Sequence, residues 1–316
     1  MTDGAESRTR TDGEHDARHI FSVDVEEYFQ VHAFEDLVHP DEWKCYPSRV
    51  GQATDRLLAL LEEHDTRATF FVLGWIAERH PGVVERIAEA GHEVASHGCW
   101  HDRVDELTPE QFMADVRRSK EILEDVAGQP VLGYRAPRFS LQEDTAWMLD
   151  VLAELGFRYD SSLMPARMAA GGGWPGAGRW PRIVDTGGGQ LLELPLTTAR
   201  VAGLTLPAAG GAYLRHLPYA LVRSGFRQAE EEGVPGVFYL HPWELDPNQP
   251  TIPVGLSARI RHYRNLEGTE DRVRRVLEDF AFTSARDRFG LEDPGDGDED
   301  EAEDVGPERR SRRVGS

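Results

Sequence analysis

Six residues of this chain have types and spacing that point to chemistry: Asp24, Glu26, His97, His101, Arg135 and His241. The stretch FSVDVEEYF, residues 21–29, sets the first two. Its apolar run over residues 20–25 reads as a buried strand. Strand side chains alternate with period two, so Asp24 and Glu26 share a face and Glu27 points away. Two carboxylates side by side are unfavourable unless a cation or a shared proton relieves them. His97 and His101 stand four apart, and on a helical turn they would share one face, a good geometry for a divalent metal. Two neutral imidazoles and one carboxylate leave coordination positions open, as catalytic sites do and structural zinc sites do not. The competing reading is a pair of surface histidines capping a helix. Ser96 before them and Trp100 between them argue against a fully exposed stretch.

The elements that must position these residues alternate. Strand-like runs lie at residues 20–25, 67–74, 92–101, 131–140, 157–162, 191–196 and 236–244. Helical patterns lie at 51–64, 81–91, 109–126, 143–155, 218–231 and 270–280. Thr108 and Gln111 have capping-box spacing. Strands alternating with helices predict an α/β fold with parallel strands. Asp24, His97, Arg135, Asp160 and His241 then all fall at strand ends, where α/β barrels gather their active sites. Residues 169–189, rich in Gly, Pro and Trp, read as one long loop. Residues 1–18 and 291–316 read as disordered tails around a single catalytic domain at 19–290.

The net charge is −21, and only Lys44 and Lys120 are lysines. Residues 291–316 carry −6 and residues 1–19 carry −2, which leaves −13 on the body. Such a surface either simply solubilises the chain or is adapted to high salt, and its composition resembles that of haloarchaeal proteins. Its melting temperature is expected to rise with KCl as the Debye length falls from about 10 Å at 0.1 M to about 3 Å at 1 M. Equal melting curves in low and high salt would count against the halophilic reading. The same charge repels phosphate backbones, so nucleic acid is excluded as a partner. No apolar run is long enough to span a membrane, and the N-terminal residues have no signal-peptide core, so a cytoplasmic location is expected. Cys45 and Cys99 are the only cysteines, and Cys99 reads as a small packing residue.

SVDVEEYF, SHGCWH, YRAPRFS and YLHPWE, in that order, resemble the motifs of the polysaccharide deacetylases of carbohydrate esterase family 4, the NodB-homology enzymes. The first motif is nearest to a branch with D-V-E there, associated with exopolysaccharide gene clusters. The resemblance covers about residues 20–245 and implies a distorted (β/α)7-type barrel that binds a divalent ion, zinc foremost, with cobalt, manganese or nickel also compatible. It implies Asp24 as base, Glu26, His97 and His101 as metal ligands, and Arg135 holding the base by a bidentate bond. It further implies Pro137 shaping a loop, His241 as general acid and Leu240 as the apolar residue beside it. The implied activity is removal of N-acetyl groups from amino sugars of a polysaccharide or glycan precursor. Two other readings stay open: a related amide hydrolase (a deformylase or cyclic amidase), or a non-catalytic glycan binder.

Other polar and aromatic residues are candidates of a looser kind. Asp160 either orients His241, binds substrate or caps the next turn. Glu193 either backs the site or is a plain strand residue. Trp43, Trp100, Trp174, Trp180 and Trp243 can stack on sugar rings or fill the core. Gly210 to Arg215 can bring backbone close to a ligand.

Overall fold

A computed structural model describes residues 18–168 and 173–292. The strands are β1 (His19–Val25), β2 (Thr69–Val72), β3 (Glu93–Ser96), β4 (Gly133–Tyr134), β5 (Tyr159–Asp160), β6 (Arg182–Thr186), β7 (Gly189–Glu193), β8 (Thr198–Val201), β9 (Leu204–Pro207), β10 (Val237–Leu240) and β11 (Phe282–Thr283). One sheet has the order β10-β1-β2-β3-β4-β5-β7-β6, with β11 also on β1. From β10 to β7 every pairing is parallel, and only β6 runs antiparallel, against β7. The sheet curls without closing, the distorted barrel expected from the sequence.

Every residue of β1 is buried, because both faces of a parallel sheet are covered. The two faces are chemically different. Phe21, Val23 and Val25 pack outward into the core beneath the helices. Ile20 packs inward with Phe71, Ala95, Tyr159, Leu192 and Tyr239. Ser22 and Asp24 share that inward parity, so strand alternation itself carries the acid into the barrel. Tyr159 sets one strict requirement there: a Cβ on Gly133 would lie 2.0 Å from its ring, so only glycine fits.

The helix Pro109–Ala127 has the predicted capping box at Thr108 and Gln111, and ends on Gly128 in the left-handed region. Three expectations are corrected. Residues 182–186 of the supposed long loop form β6, which turns through Gly187 and Gly188 into β7. The helix expected over 143–155 begins only at Met148. The hairpin of β8 and β9 and the helix Leu256–Tyr263 were not foreseen. The tails expected to be disordered lie outside the described residues apart from Arg18, Leu291 and Glu292, and so do residues 169–172 of the predicted loop. Among the described residues no helix is long and apolar enough to cross a membrane.

Candidate active site

Of the strand-end residues of the sequence reading, Asp24, His97 and His241 line one cavity of about 160 Å³, Arg135 stands behind Asp24, and Asp160 lies apart. Asp24 and Glu26 arrive from the end of β1, His97 and His101 from the exit of β3, Arg135 from that of β4, and His241 from that of β10. Ligand atoms of Glu26, His97 and His101 lie within 4.8 Å of one another. His97 Nδ1 sits 2.8 Å from the Arg135 carbonyl oxygen. A carbonyl can only accept, so Nδ1 carries the proton and Nε2 keeps its lone pair for an ion. Glu26 Oε1 accepts from Trp243 Nε1 at 3.2 Å. Glu26 Oε2 is buried and has no hydrogen-bond partner among the described residues, although His101 Nε2 is 2.9 Å away. An orphaned carboxylate oxygen facing two imidazoles is what a divalent cation would satisfy, so the residues present fit a metal. Burial pushes the Glu26 carboxyl up, but His101 and then His241 outweigh it and hold it at about 2.

The histidines do not sit on a helical turn. They span a loop in which Gly98 and His101 both take positive φ, 75° and 61°. Spacing alone could not separate a loop from a helix. The loop is held from behind: Cys99 N–H donates to Asp115 Oδ2 at 2.9 Å, and Ser119 Oγ donates to the Gly98 carbonyl at 3.0 Å. Cys99 is buried, and burial pushes its thiol up to about 12, as suits a packing residue.

Arg135 is fully buried and its Nη1 donates to Asp24 Oδ1 at 2.7 Å. The expected bidentate bond is not made. Nη1 also reaches Ser22 Oγ, Nη2 goes to Ser161 Oγ and Nε to the Ser161 carbonyl, with the guanidinium over the Phe71 ring. One guanidinium spread over three strands leaves Asp24 held through a single oxygen.

His241 is oriented by a residue that the sequence reading missed. Glu244 Oε2 lies 3.0 Å from His241 Nδ1 and accepts from its backbone N–H at 3.1 Å. Glu244 Oε1 accepts from Nε of the fully buried Arg215 at 3.0 Å. A Cβ on Gly211 would fall 2.0 Å from Glu244 Oε2, so this glycine makes room for the carboxylate, as Gly210 does for the Tyr239 ring. Burial would lower His241, but Glu26 and then Glu244 raise it to about 9. Trp243 stacks on His241 at 5.1 Å and on His262 at 4.2 Å between centroids. The signal for Glu244 was its three-residue spacing from His241 in HPWE.

The remaining candidates fall outside the cavity lining. Asp160 does not reach His241; it accepts from Ser162 N–H at 3.0 Å and Ser162 Oγ at 2.5 Å, capping its own turn. Ser162 Oγ in turn accepts from Ala136 N–H at 2.7 Å, which steadies the loop after Arg135. Glu193 is fully buried beside Asp160, and burial and then the Asp160 charge push it well above the usual carboxylate range. Glu193 Oε2 has no hydrogen-bond partner among the described residues, and a proton shared with Asp160 would satisfy it. Pro137 opens a short turn and Leu240 ends β10, both buried. Glu27 faces away as expected, accepting from Ser48 Oγ and from Arg49 N–H. Trp43 is buried edge-on to Trp75, and of the five tryptophans singled out from the sequence only Trp243 lines the cavity.

A proton held in the fold is a pH-dependent contribution to stability. Glu193 is raised above its unfolded value, so its contribution is present below about pH 4 and is lost as pH rises toward its folded value. The loss runs at about 1.4 kcal/mol per pH unit for one proton. Glu193→Gln keeps a donor toward Asp160 and has no proton to lose. Its melting temperature is expected to fall less than that of the native protein between pH 5 and pH 8, and parallel curves would refute the shared proton.

Residues 40–159 match the sequence model of the Polysaccharide deacetylase family, and residues 161–290 match a domain of unknown function, DUF3473. The boundary between the two matches runs through the sheet, beside β5. Similar chains include the peptidoglycan deacetylase of Helicobacter pylori, 34% identical over 109 residues, 34% of this chain and 36% of that one. The chitooligosaccharide deacetylase of Rhizobium leguminosarum bv. trifolii is 31% identical over 100 residues, 32% of this chain and 44% of that one. The matches thus span about a third to under half of these relatives' length. A crystal structure of a protein from Mycobacterium smegmatis, provisionally assigned as a polysaccharide deacetylase, has the same fold, with a TM-score of 0.59 at 22% identity over 98% of this chain and 99% of that one. The family match takes in SHGCWH and YRAPRFS, two of the four motifs: this chain carries a polysaccharide deacetylase domain.

Proposed function

We propose that this protein is a metal-dependent hydrolase that removes N-acetyl groups from amino sugars of a glycan. The observation that supports it best is the convergence of Glu26, His97 and His101 on one cavity with Asp24, held from behind by Arg135, and with the pair His241–Glu244. The relatives act on peptidoglycan and chitooligosaccharides by name, which favours the same bond.

Glu26, His97 and His101 would hold the ion, zinc fitting this donor set best. When bound, the ion supplies a Lewis acid for the amide carbonyl and acidifies the attacking water. The chain's own residues do the rest. Asp24 takes the proton of the water, while Arg135 fixes the carboxylate through one oxygen and leaves the other to the cavity. His241 has Nδ1 turned to Glu244 and Nε2 toward Glu26, so Nε2 is the atom that hands a proton to the departing amine. Arg215 keeps Glu244 charged against burial, and the carboxyl stays at about 2 despite it.

Protein loaded with zinc, cobalt or manganese should release acetate from N-acetylglucosamine oligosaccharides. Formate released from N-formyl analogues in its place would favour the deformylase reading. Release of neither by metal-loaded protein would sink the hydrolase reading.

A further inference from the structure

The cavity rim carries two arginines in a protein whose net charge is −21. Three carboxylates line the cavity, Asp24, Glu26 and Glu244, and all are buried in its floor. Asp24 is paired with Arg135, Glu26 Oε1 with Trp243, and Glu244 with Arg215 and His241, while Glu26 Oε2 faces His101 at the proposed ion site. The more exposed lining carries Arg138, Arg261 and His32; a neighbouring carboxylate, Glu35, lies outside the lining and pairs with Arg138 and with His32 Nδ1 at 2.7 Å. Arg138 and Phe139 take positive φ, 59° and 52°, a costly backbone for residues with side chains, just where Arg138 joins the cavity wall. Arg138 gives one N–H to Glu35 Oε2 at 2.8 Å, and its Nη2 sits 3.0 Å from His32 Nε2, which leaves further donors of its fork unused. Arg261 comes from the last turn of the helix Leu256–Tyr263. Its carbonyl accepts from Arg215 and His216, which fixes its backbone, but its guanidinium has no hydrogen-bond or ion-pair partner among the described residues.

We propose that the glycan carries an anionic group, a carboxylate or a phosphate, close to its N-acetylated sugar, and that Arg261 with Arg138 receives it at the rim. This rests on the deacetylase reading for the sugar, but the charge preference is a property of binding and can be measured without turnover. Planar guanidinium donors suit both anions, and Lewis-acid chemistry at the floor needs neither. The rim would also counter the long-range repulsion between an acidic protein and an anionic glycan.

Calorimetric titration of metal-loaded protein tests this with four probes: chitotetraose, which is neutral; a hyaluronan tetrasaccharide, whose N-acetylglucosamine alternates with a uronate; N-acetylglucosamine 1-phosphate; and N-acetylglucosamine. The expected result at low salt is at least about tenfold tighter binding of one charged probe than of its neutral counterpart, a preference that weakens toward 1 M KCl. The hyaluronan and phosphate arms tell the two anions apart. Arg261→Gln should bring the ratio to within about twofold, measured beside circular dichroism to show that the variant is folded. Equal affinity for charged and neutral probes, binding of neither, or an unchanged ratio in Arg261→Gln overturns the proposal. Anion-selective binding without acetate release would keep it and overturn the deacetylase reading instead.

Discussion

Replacement of His97 by alanine will leave a folded protein that neither retains a divalent ion nor turns over substrate. His97 offers its Nε2 only because Nδ1 is anchored on the Arg135 carbonyl, so no other residue of the loop can substitute for it. The loop itself does not depend on the imidazole. Gly98 and Cys99 are pinned by Gly74, Ser119 and Asp115 through backbone groups that the substitution leaves in place. Truncating a buried side chain costs about 2–4 kcal/mol, less than the roughly 5–15 kcal/mol that holds a typical domain. Metal content by mass spectrometry, with circular dichroism alongside, checks both halves. An ion retained at the native ratio would remove His97 from the ligand set.

Asp24→Asn should cut turnover by about 10²–10⁴ while the ion stays bound. The amide keeps the shape and still accepts from Arg135 Nη1, so the buried guanidinium is not left without its partner. What disappears is the proton acceptor. His241→Ala should cost a similar factor with the ion retained, because the amine would then leave without a proton. Single-turnover rates and metal analysis on both variants separate the roles. Loss of the ion in Asp24→Asn would mean that base and ligand are exchanged between Asp24 and Glu26. An unaltered rate in His241→Ala would take that residue out of the mechanism.

The placement of these residues was legible because strand parity is rigid. An apolar run with acids two apart fixes which face each acid takes: β1 carries Asp24 inward, and Glu27, two residues past its end, turns away to Ser48 and Arg49. The order of strand and helix placed the other residues at strand ends. What stayed hidden depends on contacts between distant segments. Arg215 lies on a short helix, Gly211–His216, whose sequence reads as a glycine-rich loop, and nothing local announces that its guanidinium reaches Glu244. The helix Leu256–Tyr263 leaves Leu256 and Ile260 exposed, so its apolar residues do not mark a buried face. The single bond from Arg135 to Asp24 follows from competing serines, Ser22 on β1 beside Asp24 and Ser161 just past β5, which no pairwise spacing encodes.

The position of β1 between β2 and β10 also sets an order of events during folding. β1 through β4 carry the base, its arginine and all three ligands on segments that follow one another closely in the chain. The acid arrives with β10, and Trp243 meets Glu26 across 217 positions of sequence. Closing so long a loop is entropically costly and late. A nascent chain can therefore bring Glu26, His97 and His101 together well before it gains His241, the proposed acid. On the proposed mechanism, such a species would bind metal and turn over nothing until β10 docks on β1.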